Sequence, residues 1–309
     1  MIDLLPVDLL RERFGDFLQT DVPLAKYTSA RIGGKADAFL IAQTSTDLAE
    51  MVEICWELGL AYLVIGGGSN MLVSDAGVRE LVILNKSRKV SFDLDVPSVW
   101  AESGVNFGAI ARQAGRKNLA GMEWAAGIPG TVGGAVVGNA GAHGGDTAGN
   151  LILAEVLHRT EGRQQLPPEE LGYAYRSSKL KRQPGQAIVL SASFRLAHSS
   201  PRAIKEKMDE YLAFRRRTQP PGASMGSMFK NPDGDYAGRL IDAAGLKGAR
   251  IGDAQISDLH ANFFINHGDA AASDVYALIS KARQTVAEQF GVQLELEIEL
   301  VGDWEALTK

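Results

Sequence analysis

The chain has 309 residues, 45% of them hydrophobic and 22% charged, with a net charge of −5 and one cysteine. That length can bury a large core and suits more than one domain. The mixed charges exclude a strongly basic nucleic-acid or membrane-surface binder, and no apolar run approaches membrane-spanning length. A single cysteine, Cys55, excludes an internal disulfide framework, fits the reducing cytoplasm and reads as a small core residue.

The start, Met1-Ile2-Asp3-Leu4-Leu5-Pro6, lacks the basic-then-apolar pattern of a leader. A short helix ends near Phe17, and Pro23 to Gly34 forms an irregular segment closed by a glycine pair. Ala36 to Ala42 has the pattern of a strand. Thr46 is placed to cap a helix whose apolar positions Leu48, Val52 and Cys55 recur at helical spacing, with Gly59 ending it. The apolar run Tyr62 to Ile65 predicts a buried strand, and Gly66-Gly67-Gly68-Ser69-Asn70 follows at its end. Bare amides after a strand end suit an anionic ligand; plain turns are the alternative. Strands are predicted at Leu81 to Leu84, Lys89 to Phe92 and Ser98 to Glu102. Asn106 then caps a helix with Phe107, Ile110, Ala111 and Ala114 on one face.

From Gly121 to Gly149 the glycine and alanine content rises. Within it, Gly127-Ile128-Pro129-Gly130-Thr131-Val132-Gly133-Gly134 places Pro129 and Thr131 at the start of a helical turn, whose N-terminus attracts phosphate. Trp124, Ile128, Val132, Val136 and Val137 argue for an ordered loop and a short buried helix rather than a linker. Neither glycine stretch matches the P-loop or the GxGxxG dinucleotide fingerprint. Strands follow at Leu151 to His158 and Ala187 to Leu196, with Tyr175-Arg176 between them. A polar boundary at Ala197 to Pro201 leads into a helix with Ile204, Met208, Tyr211 and Leu212 on one face and Arg215-Arg216-Arg217 at its end. Beyond Pro220-Pro221-Gly222 come the turn Gly226-Ser227-Met228-Phe229-Lys230-Asn231-Pro232, a helix from Asp235 to Ala244, and a helix from Ser273 with Val275, Leu278, Ile279, Ala282, Val286 and Phe290 inward. The alternation Leu294-Glu295-Leu296-Glu297-Ile298-Glu299-Leu300 predicts a final strand with its three carboxylates on one face, usually the solvated face of a sheet.

Ser227 has no GxSxG elbow and no histidine linked to it by position, so a hydrolase nucleophile is not supported. The five histidines make no metal-ligand spacing, and no metal is expected. His260, in the segment Ser257 to Asn262, and Asn266 read as loop hydrogen-bonders, with ligand contact as the alternative.

An ordered series of segments carries more than any one of them: Thr28-Ser29-Ala30-Arg31-Ile32-Gly33-Gly34, Gly66 to Asn70, Gly127 to Gly145, Tyr175-Arg176, Gly226 to Pro232, Ala237 to Ile241 with Ala244 to Gly248, His260-Ala261-Asn262, and Leu294 to Glu297. In this order, over nearly the whole length, the chain resembles the UDP-N-acetylenolpyruvoylglucosamine reductases of bacterial cell-wall synthesis, the MurB family, in their short type II form. The resemblance implies an α+β fold: an FAD-binding region of two subdomains of the vanillyl-alcohol-oxidase (PCMH) type, at 1–85 and 86–198, and a C-terminal α+β substrate-binding domain at 199–309. It implies noncovalent FAD, NADPH as co-substrate, and a monomer acting in the cytoplasm on a small enolpyruvyl sugar nucleotide, with no nucleic-acid or membrane partner.

By the same resemblance, Arg176, Ser227 and Glu297 are catalytic. Arg176 stabilises the enolate, Ser227 gives the proton and Glu297 assists. Arg31, Gly66, Gly67, Gly68, Ser69, Asn70, Gly127, Gly130, Thr131, Gly133 and Gly134 hold FAD, and Tyr175, Lys230 and Asn231 meet the substrate. Two departures stand out: His143 occupies a place where the family pattern has an aromatic such as Tyr, and Gln219 one where some members have Lys. His143 is expected as a contact at most. A flavin oxidase of the same binding fold and a noncatalytic flavin-binding module are the competing readings.

Overall fold

The structure, a computed structural model, describes residues 5–304; Met1 to Leu4 of the stretch read for a leader lie outside it. Contacts gather the chain into two units, Met1–Phe39 with Gly68–Leu81 and Arg216–Lys309, and Leu40–Gly67 with Val82–Arg215. These units are discontinuous in sequence, whereas the sequence reading divides the chain consecutively near 85 and 198. The chain passes between them within the strands Lys35–Ala42 and Val78–Asn85.

The second unit is built on a five-stranded antiparallel sheet in the order Gly162–Leu166, Leu151–His158, Ala187–Arg195, Ser98–Glu102, Val90–Asp93. The helix Phe107–Arg116 starts where expected: Asn106 Oδ1 accepts the Ala109 N–H at 2.8 Å. Its Phe107 meets Trp124 and Phe194 edge-on at 5.7 and 5.6 Å, at the centre of this unit's core. Such rings each add about 2–3 kcal/mol by leaving water. The helix Ser45–Glu57 is capped by Thr44, not Thr46. Thr44 Oγ1 accepts the Asp47 N–H at 3.0 Å while Asp47 Oδ2 accepts the Thr44 N–H at 3.1 Å, a reciprocal box that needs the carboxylate three residues on. Cys55 is fully buried on its inner face, and burial pushes its thiol up to about 12. The strand Gly162–Leu166 is an addition to the predicted set, since Gly162-Arg163-Gln164-Gln165 carries no apolar alternation.

The first unit has its core around Met228, Phe229, Leu240, Ile241 and Phe264, against the helix Ala272–Phe290. Asp75 caps that helix, accepting the Ala272 and Ser273 N–H groups at 2.7 and 2.9 Å. Val275, Leu278, Ile279, Ala282 and Val286 face inward as expected; Phe290 does not, because the helix ends at Gly291 (φ +69°), one turn past the core, and leaves Phe290 exposed. The final strand is shorter than the alternation predicts. Only Glu299–Val301 is a strand, parallel to Met71–Val73, a strand too short to be read from sequence. Residues 294–298 keep one bridge, Phe229↔Leu296. Among the described residues no helix is long and apolar enough to cross a membrane.

Candidate active site

In the second unit the two glycine stretches lie against each other. The strand Tyr62–Ile65 ends at buried Ile65, and Gly66 then passes so close to Thr131 that a Cβ would overlap its hydroxyl. A Cβ on Gly67 would lie 3.0 Å from Gly130 Cα, so backbone meets backbone and only glycine fits. Thr131 caps the short helix Val132–Gly138, accepting the Gly134 N–H at 3.5 Å, as its position predicts. The Gly133 N–H is already given to Ser103 O at 2.8 Å, and the Phe107 N–H to Gly130 O at 3.0 Å. Arg215 lies along Gly127, its Cδ 2.5 Å from where a Cβ would stand, and burial draws its guanidinium pKa down.

Tyr175 and Arg176 occupy the tip of a turn closed by mutual Ala174–Ser177 backbone hydrogen bonds of 3.0 and 3.2 Å. Arg176 has φ +54°, a left-handed conformation that costs a non-glycine residue about 1 kcal/mol and survives where surroundings impose it. Three straps impose it here. Arg176 Nη2 donates to Gly141 O at 2.9 Å, Asn139 Nδ2 to Ala174 O at 3.2 Å, and Ser178 Oγ to Val137 O at 2.7 Å. The turn is thereby tied to the end of the glycine-rich segment. Tyr175 is exposed, with the Arg176 guanidinium 5.2 Å from its ring centre.

The segment Gly141 to Asp146 is a hairpin whose tip, His143-Gly144, has φ of +53° and +78°. The His143 ring stacks on Tyr211 at 4.3 Å and 11°, with Phe214 edge-on at 5.5 Å. Its Nε2 and the Tyr173 hydroxyl are the two buried side-chain polar atoms without a hydrogen-bond partner among the described residues. Burial first, then the Arg215 charge, lower the His143 pKa. Burial first, then the Asp146 carboxylate, raise that of Tyr173.

The first unit holds Ser227 and Glu297. The segment Ser227 to Lys230 is paired on both sides: Ser227 bridges Phe263, Met228 N–H donates to Asn262 O at 2.8 Å, Glu297 N–H to Met228 O at 2.9 Å, and Lys230 N–H to Glu295 O at 2.9 Å. Fully buried Met228 and Phe229 anchor it. Buried Asn262 meets both backbone groups of Phe229, its Oδ1 accepting the N–H at 2.9 Å and its Nδ2 donating to the carbonyl at 2.8 Å. Asn70 Nδ2 donates to Glu297 O at 3.1 Å, and the Glu299 N–H to Asn70 O at 2.9 Å. Glu297 is half-buried; Glu295 and Glu299 on either side are exposed. Lys230 Nζ pairs with Glu295 at 3.1 Å, and Asn231 Oδ1 accepts the Ala237 N–H at 3.1 Å. Arg31 (φ +58°) ends a turn on buried Thr28, whose hydroxyl donates to Ile32 O at 2.8 Å, and Ser29 N–H reaches Gly68 O at 2.9 Å. Ser69 is half-buried beside them.

Among the expected site residues, then, Gly66, Gly67, Gly127, Gly130, Thr131, Gly133, Gly134, Tyr175 and Arg176 belong to the second unit. Arg31, Gly68, Ser69, Asn70, Ser227, Lys230, Asn231 and Glu297 belong to the first. The close approach of Gly66 and Gly67 to Thr131 and Gly130 packs the two glycine stretches together, and the two orphaned polar atoms, His143 Nε2 and the Tyr173 hydroxyl, are the features of this unit that fit a ligand. Residues 36–161 match a family model described as an FAD binding domain, and residues 218–301 match the UDP-N-acetylenolpyruvoylglucosamine reductase C-terminal domain. The chain is 43% identical over 300 residues to a UDP-N-acetylenolpyruvoylglucosamine reductase of Chloroflexus aggregans, covering 94% of this chain and all of the relative.

The chain belongs to the UDP-N-acetylenolpyruvoylglucosamine reductase family.

A second relative, UDP-N-acetylenolpyruvoylglucosamine reductase 2 of Symbiobacterium thermophilum, is 44% identical over 283 residues, 91% of each chain. The crystal structure of the Thermus caldophilus reductase, 38% identical, superposes with a TM-score of 0.79 over 92% of this chain and 100% of that one. The expected fold, a PCMH-type FAD-binding region joined to this family's C-terminal domain, is therefore the fold observed, and the chain is an FAD-dependent oxidoreductase. Arg176 falls between the two matched domains. Tyr211, which stacks on His143, and Tyr173, whose buried hydroxyl feels the Asp146 charge, were not singled out by sequence as site residues: Tyr211 reads as one more apolar position on its helix, and no local pattern links either to His143 or Asp146.

Proposed function

We propose that this chain reduces UDP-N-acetylenolpyruvoylglucosamine to UDP-N-acetylmuramate with electrons from NADPH, as a cytoplasmic monomer, and that Arg176, Ser227 and Glu297 carry the reaction. The observation that carries this reading is the end-to-end likeness to reductases named for that substrate, at 43% identity with no part of the relative left uncovered. Bound noncovalently, FAD supplies the two-electron chemistry between NADPH and the enolpyruvyl double bond. Gly66, Gly67, Gly130 and Thr131 would hold it, and Arg31, Gly68, Ser69 and Asn70 are assigned to it by the same family pattern.

Addition of hydride at the vinyl terminus leaves an electron pair on the carbon bearing the carboxylate, shared with that carboxylate as an enolate. Arg176 offers a planar fork of donors to that charge, and its strapped turn holds the fork in place before the reaction, so little reorganisation is needed as charge develops. Ser227 delivers the proton that completes the saturated carbon. A hydroxyl is a weak acid, so it acts only where the acceptor carbon is strongly basic and the hydroxyl is aimed by a fixed backbone; the bridge of Ser227 to Phe263 and the pairing of Met228 with Asn262 and Glu297 support that aim. Glu297 lies one step along the neighbouring segment and assists the proton delivery. Lys230, Asn231 and Tyr175 are assigned to the diphosphate and sugar.

The test separates two half-reactions. Under anaerobic conditions NADPH should bleach the visible absorbance of the oxidised flavin, and the enolpyruvyl substrate should restore it while forming the lactyl ether. Protein that binds no flavin, or whose reduced flavin is reoxidised by oxygen with peroxide release but not by the enolpyruvyl substrate, would defeat this assignment in favour of the module or the oxidase. Light scattering checks the monomer.

A further inference from the structure

His143 combines three features that the reaction above does not use. It stands at the hairpin tip in a left-handed conformation, φ +53°, that a side chain enters only at a cost. Its ring is held flat on Tyr211 at 4.3 Å, closed by Phe214. Nε2 is buried with no hydrogen-bond partner among the described residues. A folded chain gains from burying a polar nitrogen only when something satisfies it, and an unmade hydrogen bond of this kind is destabilising. The neighbours from the helix Pro201–Thr218 that bear charge on it are Arg215 and Glu210. Arg215 itself lies along Gly127. The Nε2–H tautomer of the imidazole and the Arg215 guanidinium are each able to donate to an electron-rich oxygen.

We infer that His143 is a cofactor-binding residue of this chain: Tyr211 fixes its ring, and Nε2 hydrogen-bonds an oxygen of bound FAD, with no covalent link. The inference rests on the FAD-dependent reading above. It gives the orphaned nitrogen its partner and explains why a left-handed, half-buried histidine is kept at a hairpin tip where Asn or Gly would sit without strain.

The test compares FAD affinity with the stability of the flavin-free protein. FAD is stripped and titrated back, with quenching of flavin fluorescence as the readout, in the parent chain and in His143→Phe, which keeps the ring on Tyr211 and removes Nε2. The variant should bind FAD about tenfold more weakly, the effect of one lost hydrogen bond. Its flavin-free form should melt at the same temperature as the parent or higher, because a buried unpaired nitrogen has been replaced by carbon. His143→Gln, which restores a polar atom without the ring, should recover part of the affinity and covers the case in which the Phe variant does not fold. Equal FAD affinity in parent and variants, or a loss of UDP binding at unchanged FAD affinity, would overturn the inference. A parent chain that takes up no FAD at all would instead defeat the functional reading on which it rests.

Discussion

The two units hold their functional side chains by opposite means. In the second, Arg176 sits on a strained two-residue turn held by three side-chain-to-backbone straps, and two buried polar atoms nearby are left unsatisfied. In the first, Ser227 and Glu297 sit on neighbouring extended segments whose backbone groups pair with each other, and a buried amide beside them, Asn262, is used at both ends. A turn can aim a long cation at low cost in core, but it needs local straps to stay there. A paired segment aims a short hydroxyl through the core itself, so its geometry fails only when the core does.

The largest test of this contrast is Ser227→Ala. It should leave FAD reduction by NADPH near the parent rate and slow reoxidation by the enolpyruvyl substrate by ~10²–10⁴-fold, read by stopped-flow absorbance. Equal slowing of both half-reactions would place Ser227 outside proton delivery. Asn262→Ala should be next, lowering unfolding free energy by about 3 kcal/mol in a urea titration, because both backbone groups of Phe229 lose a buried partner. A change within about 0.5 kcal/mol would show that the first unit does not depend on that amide. Ser178→Ala, which removes one strap and the cap on Lys181, should cost about 1–2 kcal/mol and also slow turnover, since the lost strap loosens the Arg176 turn. Unchanged turnover would mean the remaining two straps suffice.

The smallest effects concern pH. His143 in the second unit and His260 in the first both have lowered pKa values, in each case chiefly through burial. The unfolded chain therefore takes up protons that the folded chain refuses, and stability should fall as pH drops below the ordinary histidine value of about 6.5 toward the lower folded values. His260 has a partner, its Nδ1 accepting the Asn262 N–H at 3.2 Å, and His143 Nε2 has none. Urea midpoints for His143→Phe across this range should show less loss on acidification than the parent, and identical slopes would remove His143 from the acid response. At lower pH the buried carboxylate of Glu102 contributes. Burial alone would raise its pKa, but N–H donors from Lys89, Ser45 and Arg88 and the Ser45 hydroxyl outweigh that and lower it. Its contribution is full above the ordinary value of 4.5 and is lost as pH falls through the lowered one. Glu102→Gln should flatten that limb of the profile.

Much of this was legible in the chain. Asn106 and Thr131 cap the helices their positions predict, because a cap is a bond between residues three apart and needs nothing remote. Thr46 failed as a cap for the same local reason: Thr44, not Thr46, has Asp47 three residues on. Alternation misread the end of the chain, since 294–298 pairs with the segment around Phe229 instead of extending a regular strand. The order of glycine, Tyr-Arg and Ser-Met-Phe-Lys-Asn segments was enough to point to the family, and the relatives bear that out.

By itself, then, the sequence determined most of the elements, the caps at Asn106 and Thr131, the glycine stretches and the family, all of them properties of short windows or of their order. Only the tertiary structure decided that Gly66 and Gly67 meet Gly130 and Thr131, that Arg176 is strapped into a left-handed turn, that Glu297 is half-buried between two exposed glutamates, and that His143 lies on Tyr211 with a nitrogen unpaired. Each of these depends on which distant segment lies alongside. Burial and hydrogen-bond satisfaction belong to the neighbours of a residue in space, and period and propensity in a single strand or turn do not specify them.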